Sequence, residues 1–295
     1  MKKPKVFIVV LNYNGGNELR QCLDSVYKLN YSNFEVIVVD NNSSDNSFEK
    51  ARKRFDRFHF IKNSRNLGFS AGNNVAIKWA LEKGAEYVFL LNNDAIVEKS
   101  TLTNLIEFAE KEKQVGIVSP IIYNKSESKI WFSGGKINWW KMRTEHWQKA
   151  KPKRNKSKKT NDKNDYLQKT EYITGCAMLI KRKVFAEIGL LDEDFFLYYE
   201  DADFSLRAKR NGFNLGVVEK AKVFHSEKSL ENPQKVYWLV LSGILFFRKN
   251  ALWYWRPYLG AYLFLRKLKN KYNLLKNPND KVALLIQKAY QDDKR

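Results

Sequence analysis

The sequence predicts an α/β protein with a doubly wound, mostly parallel sheet. Runs of five or six apolar residues, rich in Val and Ile and without polar alternation, are typical of strands buried on both faces of a parallel sheet. Between residues 6 and 119 these runs alternate with segments of helical periodicity, an order that favours helices on both faces of the sheet. Three of the runs, at residues 6–11, 34–39 and 87–91, also stop abruptly at Asn or Asp.

The first half of the chain supplies the alternating elements. A strand over residues 6–11 is followed, after Gly15 and Gly16, by a helix whose apolar residues recur at helical spacing from Leu19 to Tyr27. The elements predicted after it are strand 34–39, helix 48–56, strand 58–62, helix 70–83, strand 87–91, helix 100–113 and strand 115–119.

The second half is less regular. A β-rich stretch over 130–140 precedes the low-complexity run 149–165, whose Lys, Asn, Ser and Asp residues predict a solvated loop. The elements predicted after this loop are a strand within 172–180, helix 181–188, a helix ending near Arg210, and strands 213–218 and 223–225. We therefore predict one α/β domain over residues 1–228 and a helical, aromatic and basic extension over 229–295.

The net charge of +21 lies mainly in two segments. Residues 141–169 hold eleven Lys or Arg and three acidic residues, and residues 220–295 hold sixteen and five. Such patches attract anionic lipid or nucleic acid, and charge alone does not choose between them. The two cysteines, Cys22 and Cys176, have no metal-ligand neighbours in the sequence, so neither a disulfide nor a zinc cluster is expected, as is usual in a reducing cytoplasm. The first apolar run is too short for the core of a signal peptide.

Two interpretations of the C-terminal extension remain open. It contains an apolar run at 236–247 and an aromatic-rich segment at 251–265, and neither reaches the roughly 20 residues that span a bilayer. These segments could pack on the core with Lys and Arg outward. They could also form a helix pair that lies on an anionic leaflet, with Trp and Tyr at the headgroups.

Polar residues at the predicted strand ends indicate a ligand site, because ligands of open α/β sheets bind beyond the carboxyl ends of the strands. Asp40 and the amides after it could bind a nucleoside, or form a polar turn. Asp94, after Asn92 and Asn93, could hold Mg²⁺ or Mn²⁺ through oxygen, or form an Asx-turn. Gly68, in the segment 66–74, could admit a phosphate at a helix start, or simply form a tight turn.

The segment 192–203 is the most informative, since its acidic residues surround four aromatic ones. A helix dipole stabilises one or two acids in a first turn, which leaves the aromatic residues unexplained. Aromatic surroundings exclude water and raise a carboxylate pKa towards the working range of a general base. His225, which ends a predicted strand, is either a metal ligand or a histidine satisfied by structural contacts.

Six motifs in order resemble family 2 glycosyltransferases, most closely the rhamnosyltransferase-like branch, and the resemblance covers residues 5–225. It implies a GT-A fold, a nucleotide-diphosphate-sugar donor such as dTDP-rhamnose or a UDP-sugar, a divalent cation (Mg²⁺ or Mn²⁺) and inversion at the anomeric carbon. It also implies a glycan or lipid-linked acceptor hydroxyl. The six motifs lie at residues 10–14, 38–45, 66–69, 90–94, 174–178 and 198–203.

The resemblance also assigns roles to individual residues. Asp201 corresponds to the general base, with Glu200 beside it, and Asp94 corresponds to the metal-binding end of the Asp-X-Asp motif, with His225 as a further ligand. Asn92 stands where many relatives carry the first Asp of that motif, so Asp94 is the single carboxylate ligand expected. The residues assigned to the nucleotide and donor are Asn12, Asn14, Asp40, Asn41, Asn66, Gly68, Asn73, Asn92 and Asn93.

Other protein classes fit less well. The turn after the first strand lacks the Gly-X-Gly-X-X-Gly of a Rossmann dehydrogenase and the basic residues of a nucleotidyltransferase loop. A non-catalytic membrane- or nucleic-acid-binding protein, and a degenerate transferase that only binds sugar nucleotide, remain as alternatives. We expect a cytoplasmic enzyme that builds a surface glycan and lies peripherally on the inner face of the cell membrane, with an anionic membrane surface as a partner and nucleic acid not a partner.

Overall fold

The computed structural model describes residues 3–125, 129–148, 170–226 and 233–293. The predicted Lys-rich loop at 149–165 and the predicted domain boundary at 228/229 lie outside these residues.

The strands are β1 (Val6–Asn12), β2 (Phe34–Asp40), β3 (His59–Lys62), β4 (Tyr87–Asn92), β5 (Ala95–Val97), β6 (Val115–Asn124), β7 (Ile130–Phe132), β8 (Gly135–Asn138), β9 (Arg143–His146), β10 (Ala177–Lys181) and β11 (Asn214–His225). The helices are α1 (Gly16–Tyr27), α2 (Ser47–Arg54), α3 (Gly68–Glu82), α4 (Thr101–Lys111), α5 (Arg182–Ile188), α6 (Glu200–Arg210), α7 (Gln234–Asn250), α8 (Arg256–Lys276) and α9 (Lys281–Asp292).

The predicted α/β class is confirmed, in a sheet that is mixed in direction. Its strand order is β3-β2-β1-β4-β10-β6-β11-β5, with β7 added beside β6. The strands from β3 to β4 are parallel, as are β6 and β11, whereas β10 is antiparallel to both β4 and β6. Ala177, the first residue of β10, lies beside Leu91 near the end of β4. The chain therefore enters β10 at the edge where β4 ends, and β10 has to run backwards.

The parallel register brings the polar strand ends together. Asn12 of β1 is paired with Asp40 of β2, and Leu11 is paired with Asn92 of β4. Residues 6–10 of β1 are fully buried, because neighbouring strands flank β1 and helices cover the sheet. The apolar stripe predicted for α1 is buried at Leu19, Cys22, Leu23 and Val26, whereas Tyr27, its last predicted member, is 57% exposed.

Several element boundaries differ from the predictions. The strand predicted over 115–119 continues to Asn124, because its second half pairs with the second half of β11. The strands predicted over 213–218 and 223–225 form one strand, β11, with an irregularity between Val218 and Lys222. The three-residue strand β5 was not predicted, since so short a run has no periodicity.

The C-terminal helices pack in two different ways. Phe246 and Phe247 of α7 are buried, at 0% and 1% exposure, so the second half of the apolar run at 236–247 packs on the core, whereas residues 236–241 remain partly or fully exposed. In α8 only Leu259 and Asn270 are buried. Among the described residues, no helix combines the length and the apolar character needed to cross a bilayer.

Candidate active site

Asn12 joins the ends of three strands. It is completely buried, and its side-chain Nδ2 donates to Oδ1 of Asp40 (2.9 Å) and to the Ser47 hydroxyl (3.1 Å). Its Oδ1 accepts from Nδ2 of Asn93 (3.1 Å), just beyond β4. Gly15 is required beside this network, because a Cβ there would lie 2.3 Å from Oδ1 of Asn12. Two residues assigned to the donor by the resemblance are thus joined directly to a third.

Asp40 is held in a fixed orientation by its surroundings. Its carboxylate accepts from the Ser43 amide (2.9 Å) and the Ser43 hydroxyl (2.6 Å) in addition to Asn12. Asn14, at φ +51°, accepts from the Ser44 amide (2.8 Å) through its Oδ1. The turns after β1 and β2 are therefore hydrogen-bonded to each other, and this fixes the backbone where we predicted the nucleoside to bind.

The start of α3 contacts both the β2 turn and the acidic-aromatic segment. Nδ2 of Asn41 donates to the Gly68 carbonyl (2.8 Å), and Oδ1 of Asn66 accepts from the Gly68 amide (2.9 Å). Gly68 has φ +81°, and a Cβ on it would lie 2.5 Å from the Phe196 carbonyl oxygen. Only glycine allows this close approach of the two segments.

Within α3, a residue next to a predicted one makes the long-range contact. Asn73, which we assigned to the donor, donates to the Phe69 carbonyl within its own helix. Asn74 instead donates to the Leu191 carbonyl (2.9 Å) and to Oε1 of Glu193 (3.0 Å). A run of Asn residues at a helix start gives no signal for which of them faces the neighbouring segment.

The structure brings together the two residues predicted to bind a metal. Oδ1 of Asp94 lies 3.1 Å from Nε2 of His225, because β5 and β11 pair antiparallel directly after Asp94. Burial disfavours the charged imidazolium, but the Cys176 sulfur and the Asp94 carboxylate favour it, and together they raise the pKa of His225 to about 11. A cation bound by this histidine therefore has to displace a proton.

Both cysteines lie beside the end of β4. The thiol of Cys22 contacts the Asn92 carbonyl (3.4 Å), and the Asn92 amide donates to the Cys176 carbonyl (2.9 Å). Both are buried and neither forms a disulfide, as the sequence predicted. Burial raises the pKa of the Cys22 thiol well above its ordinary value.

An unusual backbone conformation precedes the predicted catalytic carboxylates. Tyr198 and Tyr199 both have positive φ, at +69° and +68°, a conformation that costs a non-glycine residue about 1–2 kcal/mol. Glu200 and Asp201 follow immediately, in the first turn of α6. Strain of this kind persists only where the surrounding structure enforces it.

The two carboxylates lie in different surroundings. Glu200 is buried, and its Oε2 has no hydrogen-bond partner; burial, together with the charge of Asp201, raises its pKa well above the ordinary value. Asp201 is partly exposed, and its Oδ2 accepts from the Gly175 amide (2.9 Å). Its pKa is also raised by burial, against the opposing effect of hydrogen bonds from Gly175, Ala202 and Thr174.

The segment 174–176 connects the Asp94–His225 pair to the two carboxylates. Gly175 contacts Asp201 through its amide, while the next residue, Cys176, contacts His225 through its sulfur and Asn92 through its carbonyl. We predicted no role for Gly175 or Cys176, although both lie in one of the six motifs. Contacts made by a backbone amide or carbonyl are hard to predict from the sequence, because nearly every residue type carries these groups.

Comparison with known proteins identifies the family. A family model described as glycosyl transferase family 2 matches residues 7–189. The chain belongs to glycosyl transferase family 2.

Two curated relatives show where this chain lies within family 2. The low-salt glycan biosynthesis hexosyltransferase Agl10 of Haloferax volcanii is 26% identical over 231 residues, which cover 75% of this chain and 66% of the relative. The dTDP-rhamnosyl transferase RfbF of Shigella flexneri is 23% identical over 256 residues, which cover 83% of this chain and 80% of the relative. The predicted resemblance to rhamnosyltransferase-like members is therefore confirmed.

A solved structure supports the fold assignment. The crystal structure of GalNAc-T7 with UDP, GalNAc and Mn²⁺ superposes with a TM-score of 0.62 at 17% identity, covering 76% of this chain and 44% of that one. The chain thus spans less than half of that protein and just under two thirds of the Haloferax relative. The predicted GT-A fold is confirmed.

In this family 2 chain, α7 holds the acidic-aromatic segment in place. Lys249 forms ion pairs with Asp192 and with Asp194 (2.8 Å), and the Ser242 hydroxyl donates to the Leu197 carbonyl (2.7 Å). At the end of α7, Nδ2 of Asn250 donates to Oδ1 of Asp203 (2.9 Å). A helix that we assigned to the extension therefore supports the segment that carries Asp201.

Proposed function

We propose that this chain transfers a sugar, with inversion, from a nucleotide-diphosphate donor to a hydroxyl of a glycan or lipid-linked acceptor. The observation that carries the proposal is the position of Asp201. Its partly exposed carboxylate is oriented by the Gly175 amide at the start of α6, beside the buried Glu200. It is linked through residues 174–176 to the Asp94–His225 pair.

The proposed reaction is a single displacement. The acceptor oxygen attacks the anomeric carbon while the bond from that carbon to the diphosphate oxygen breaks, and the electron pair leaves with the nucleoside diphosphate. Asp201 accepts the proton of the acceptor hydroxyl, as a general base. A carboxylate with a raised pKa is a better proton acceptor than an ordinary aspartate once it is ionised.

Asp94 and His225 would hold the divalent cation. Oδ1 of Asp94 is buried without a hydrogen-bond partner apart from its contact with His225, so an oxygen ligand is available. No group of three His, Cys, Asp or Glu residues among those described is arranged to hold a metal. Mg²⁺ is commonly bound by one or two carboxylates and completes its sphere with phosphate oxygens and water, and Asp94 would supply one such carboxylate. When bound, the cation would offset charge on the leaving diphosphate.

The donor would bind against the hydrogen-bonded network around Asn12. We propose dTDP-rhamnose or a UDP-sugar, since one curated relative is a dTDP-rhamnosyl transferase and the GalNAc-T7 structure contains UDP. The nucleoside would lie near Asp40 and Asn41. Asn92, the last residue of β4, and Asn93, which follows it, would lie near the diphosphate.

Thermal unfolding with dTDP, UDP and GDP, each with and without Mn²⁺, tests donor binding. A nucleotide at about 100 times its Kd adds about 2.7 kcal/mol to the free energy of unfolding, which corresponds to a rise in Tm of about 4 °C for a chain of this length. We expect a metal-dependent rise with dTDP or UDP. If no nucleotide changes Tm, the proposed donor site is wrong.

Asp201→Asn tests the base. We expect turnover to fall by about 10²- to 10⁴-fold, because the proton acceptor is lost, while the nucleotide-induced rise in Tm stays. Asp56→Asn, at an exposed position, is the control and keeps full activity. A folded Asp201→Asn variant that loses both transfer and nucleotide binding would contradict the assigned role.

A further inference from the structure

The outer face of α8 carries a continuous apolar stripe. Its five large side chains are between 48% and 74% exposed. At 100° per residue they fall within a sector of about 100° on one side of the helix. The stripe consists of Phe264, Leu265, Leu268, Tyr272 and Leu275.

Lysine side chains flank this stripe on both sides. By the same helical geometry, Lys267 and Lys271 lie along one edge, and Lys269 and Lys276 lie along the other. Residues 250–279 contain six Lys or Arg residues and no Asp or Glu. The face therefore combines exposed apolar area with uniformly positive borders.

Exposed apolar and aromatic side chains also directly precede α8 in the chain. Leu252, Trp253 and Tyr254 are 51%, 79% and 55% exposed. Trp and Tyr are the residues enriched at the headgroup level of membranes, where an apolar ring and a polar edge are both satisfied. Solvation in water alone gives no reason for large exposed aromatic side chains at this position.

α8 is fastened to the folded part of the chain. The hydroxyls of Tyr258 and Tyr262 donate to the carbonyls of Trp140 and Lys141, at 2.7 and 2.8 Å. Nδ2 of Asn270 donates to the Ala283 carbonyl of α9 (3.0 Å). The stripe is therefore a fixed surface of the protein.

We propose that this face of α8, with residues 252–254, docks on the surface of a bilayer rich in anionic lipid, the helix axis lying along the membrane plane. Charge complementarity favours this occupant, since the apolar stripe enters the acyl boundary while the lysine borders meet lipid phosphates. A second copy of the chain would place like-charged lysine borders against each other. The inference concerns α8 and does not depend on the proposed transfer reaction.

Vesicle co-sedimentation of the full chain tests the proposal. We expect binding to phosphatidylcholine vesicles that contain about one third phosphatidylglycerol, and weaker binding to phosphatidylcholine alone. The double variant Phe264→Glu/Leu268→Glu changes two exposed residues, so the fold is expected to persist. Its vesicle affinity is expected to fall at least about tenfold, through the loss of apolar burial.

A charge-matched variant controls for the added negative charge. Asn273→Glu/Gln287→Glu adds the same two charges at exposed positions, with Asn273 on the opposite side of α8 from the stripe, and is expected to lose much less affinity. The proposal is overturned if the native chain does not sediment with anionic vesicles, or if the two double variants bind equally well. It is also overturned if light scattering shows a dimer that only Phe264→Glu/Leu268→Glu dissociates, because the stripe is then an interface between copies. Nucleotide-induced stabilisation is measured in parallel and is expected to be the same in all three proteins.

Discussion

Glu200 and Asp201 are adjacent in the chain, yet their surroundings direct them to different tasks. Asp201 is partly exposed and oriented by a backbone amide, while Glu200 is buried with an unpartnered oxygen. Pairs of carboxyl groups in unlike environments are a usual way to separate a reactive group from a neutral one. We interpret Glu200 as a positioning residue that is held protonated beside Asp201, the proposed general base.

The raised pKa of Glu200 predicts a pH-dependent cost to the fold. The native state keeps this proton above the ordinary pKa of 4.5, so the contribution of Glu200 to stability is fully present below that pH and is lost as pH rises. Glu200→Gln removes the titration. Urea unfolding is therefore expected to show that the free energy of unfolding of Glu200→Gln, minus that of the native chain, increases between pH 5 and pH 8. Glu107→Gln, at an exposed position, serves as the control and is expected to show no such trend. Parallel pH profiles for the native chain and Glu200→Gln would refute the assignment.

A comparison of Gly68 with Gly84 distinguishes the cost of the left-handed backbone conformation from the cost of a close contact, because the two glycines have nearly equal φ angles. Gly68 and Gly84 have φ of +81° and +83°, but only Gly68 has a neighbour, the Phe196 carbonyl, within reach of a Cβ. Gly84→Ala is expected to cost about 1–2 kcal/mol for the left-handed conformation alone. Gly68→Ala should cost more and should also lower turnover, because it separates α3 from the segment that carries Asp201. Equal costs in urea unfolding would show that the Phe196 contact is unimportant.

Residue type indicated which side chains lie near one another better than it indicated their contacts, and the roles assigned to them stay predictions. Asp94 and His225 meet as predicted, since both follow or end strands of one sheet. The contact through Asn74 was not predicted, because neighbouring Asn residues look alike in the sequence. The amide of Gly175 was not predicted either, since a backbone donor is independent of the side chain.

At the scale of elements, the end of α7 is the clearest determinant of where α6 lies. Asn250 donates to Asp203, and Arg210 donates to the side chain and the carbonyl of Asn250. Asp203 also accepts from Nε of Arg207 (2.7 Å). One amide thus joins two helices at a buried position, where an unmade hydrogen bond is expensive.

Asn250→Ala is expected to destabilise the fold by about 1–3 kcal/mol, because it leaves a buried acceptor without its donor. It should also lower turnover more than it changes KM for the donor, since α6 carries Asp201. Asn273→Ala, at an exposed position of α8, serves as the control. A loss of stability with unchanged turnover would limit Asn250 to a structural role.

The sequence predicted the elements well where their burial is regular. The apolar runs correctly located β1, β2 and β4, and the spacing of apolar residues correctly located α1. The backward direction of β10 could not be read from the sequence, because a strand buried on both faces has the same pattern in either direction. The extension of β6 depends on pairing with residues about a hundred positions away.

At the scale of the whole molecule, the contacts of α7 bear on where the N-terminal domain ends. The boundary predicted at 228/229 stays a prediction, and a truncation tests it. A chain ending at residue 228 loses Phe246 and Phe247, whose burial contributes about 1.5–3 kcal/mol each. We expect this chain to unfold at a clearly lower temperature than one ending at residue 255, which retains α7. Equal thermal stability would place the boundary where we first predicted it.

The position of the two cysteines has a practical consequence. The only thiols in the chain are buried on either side of Asn92, at the end of β4. An alkylating reagent reaches them only when this strand end opens, and only the thiolate reacts. The rate at which the two thiols are alkylated in the native protein therefore reports how often this part of the candidate active site opens. A ligand bound beside Asn92 is expected to slow this alkylation, whereas a membrane docked on α8 is expected to leave the alkylation rate unchanged.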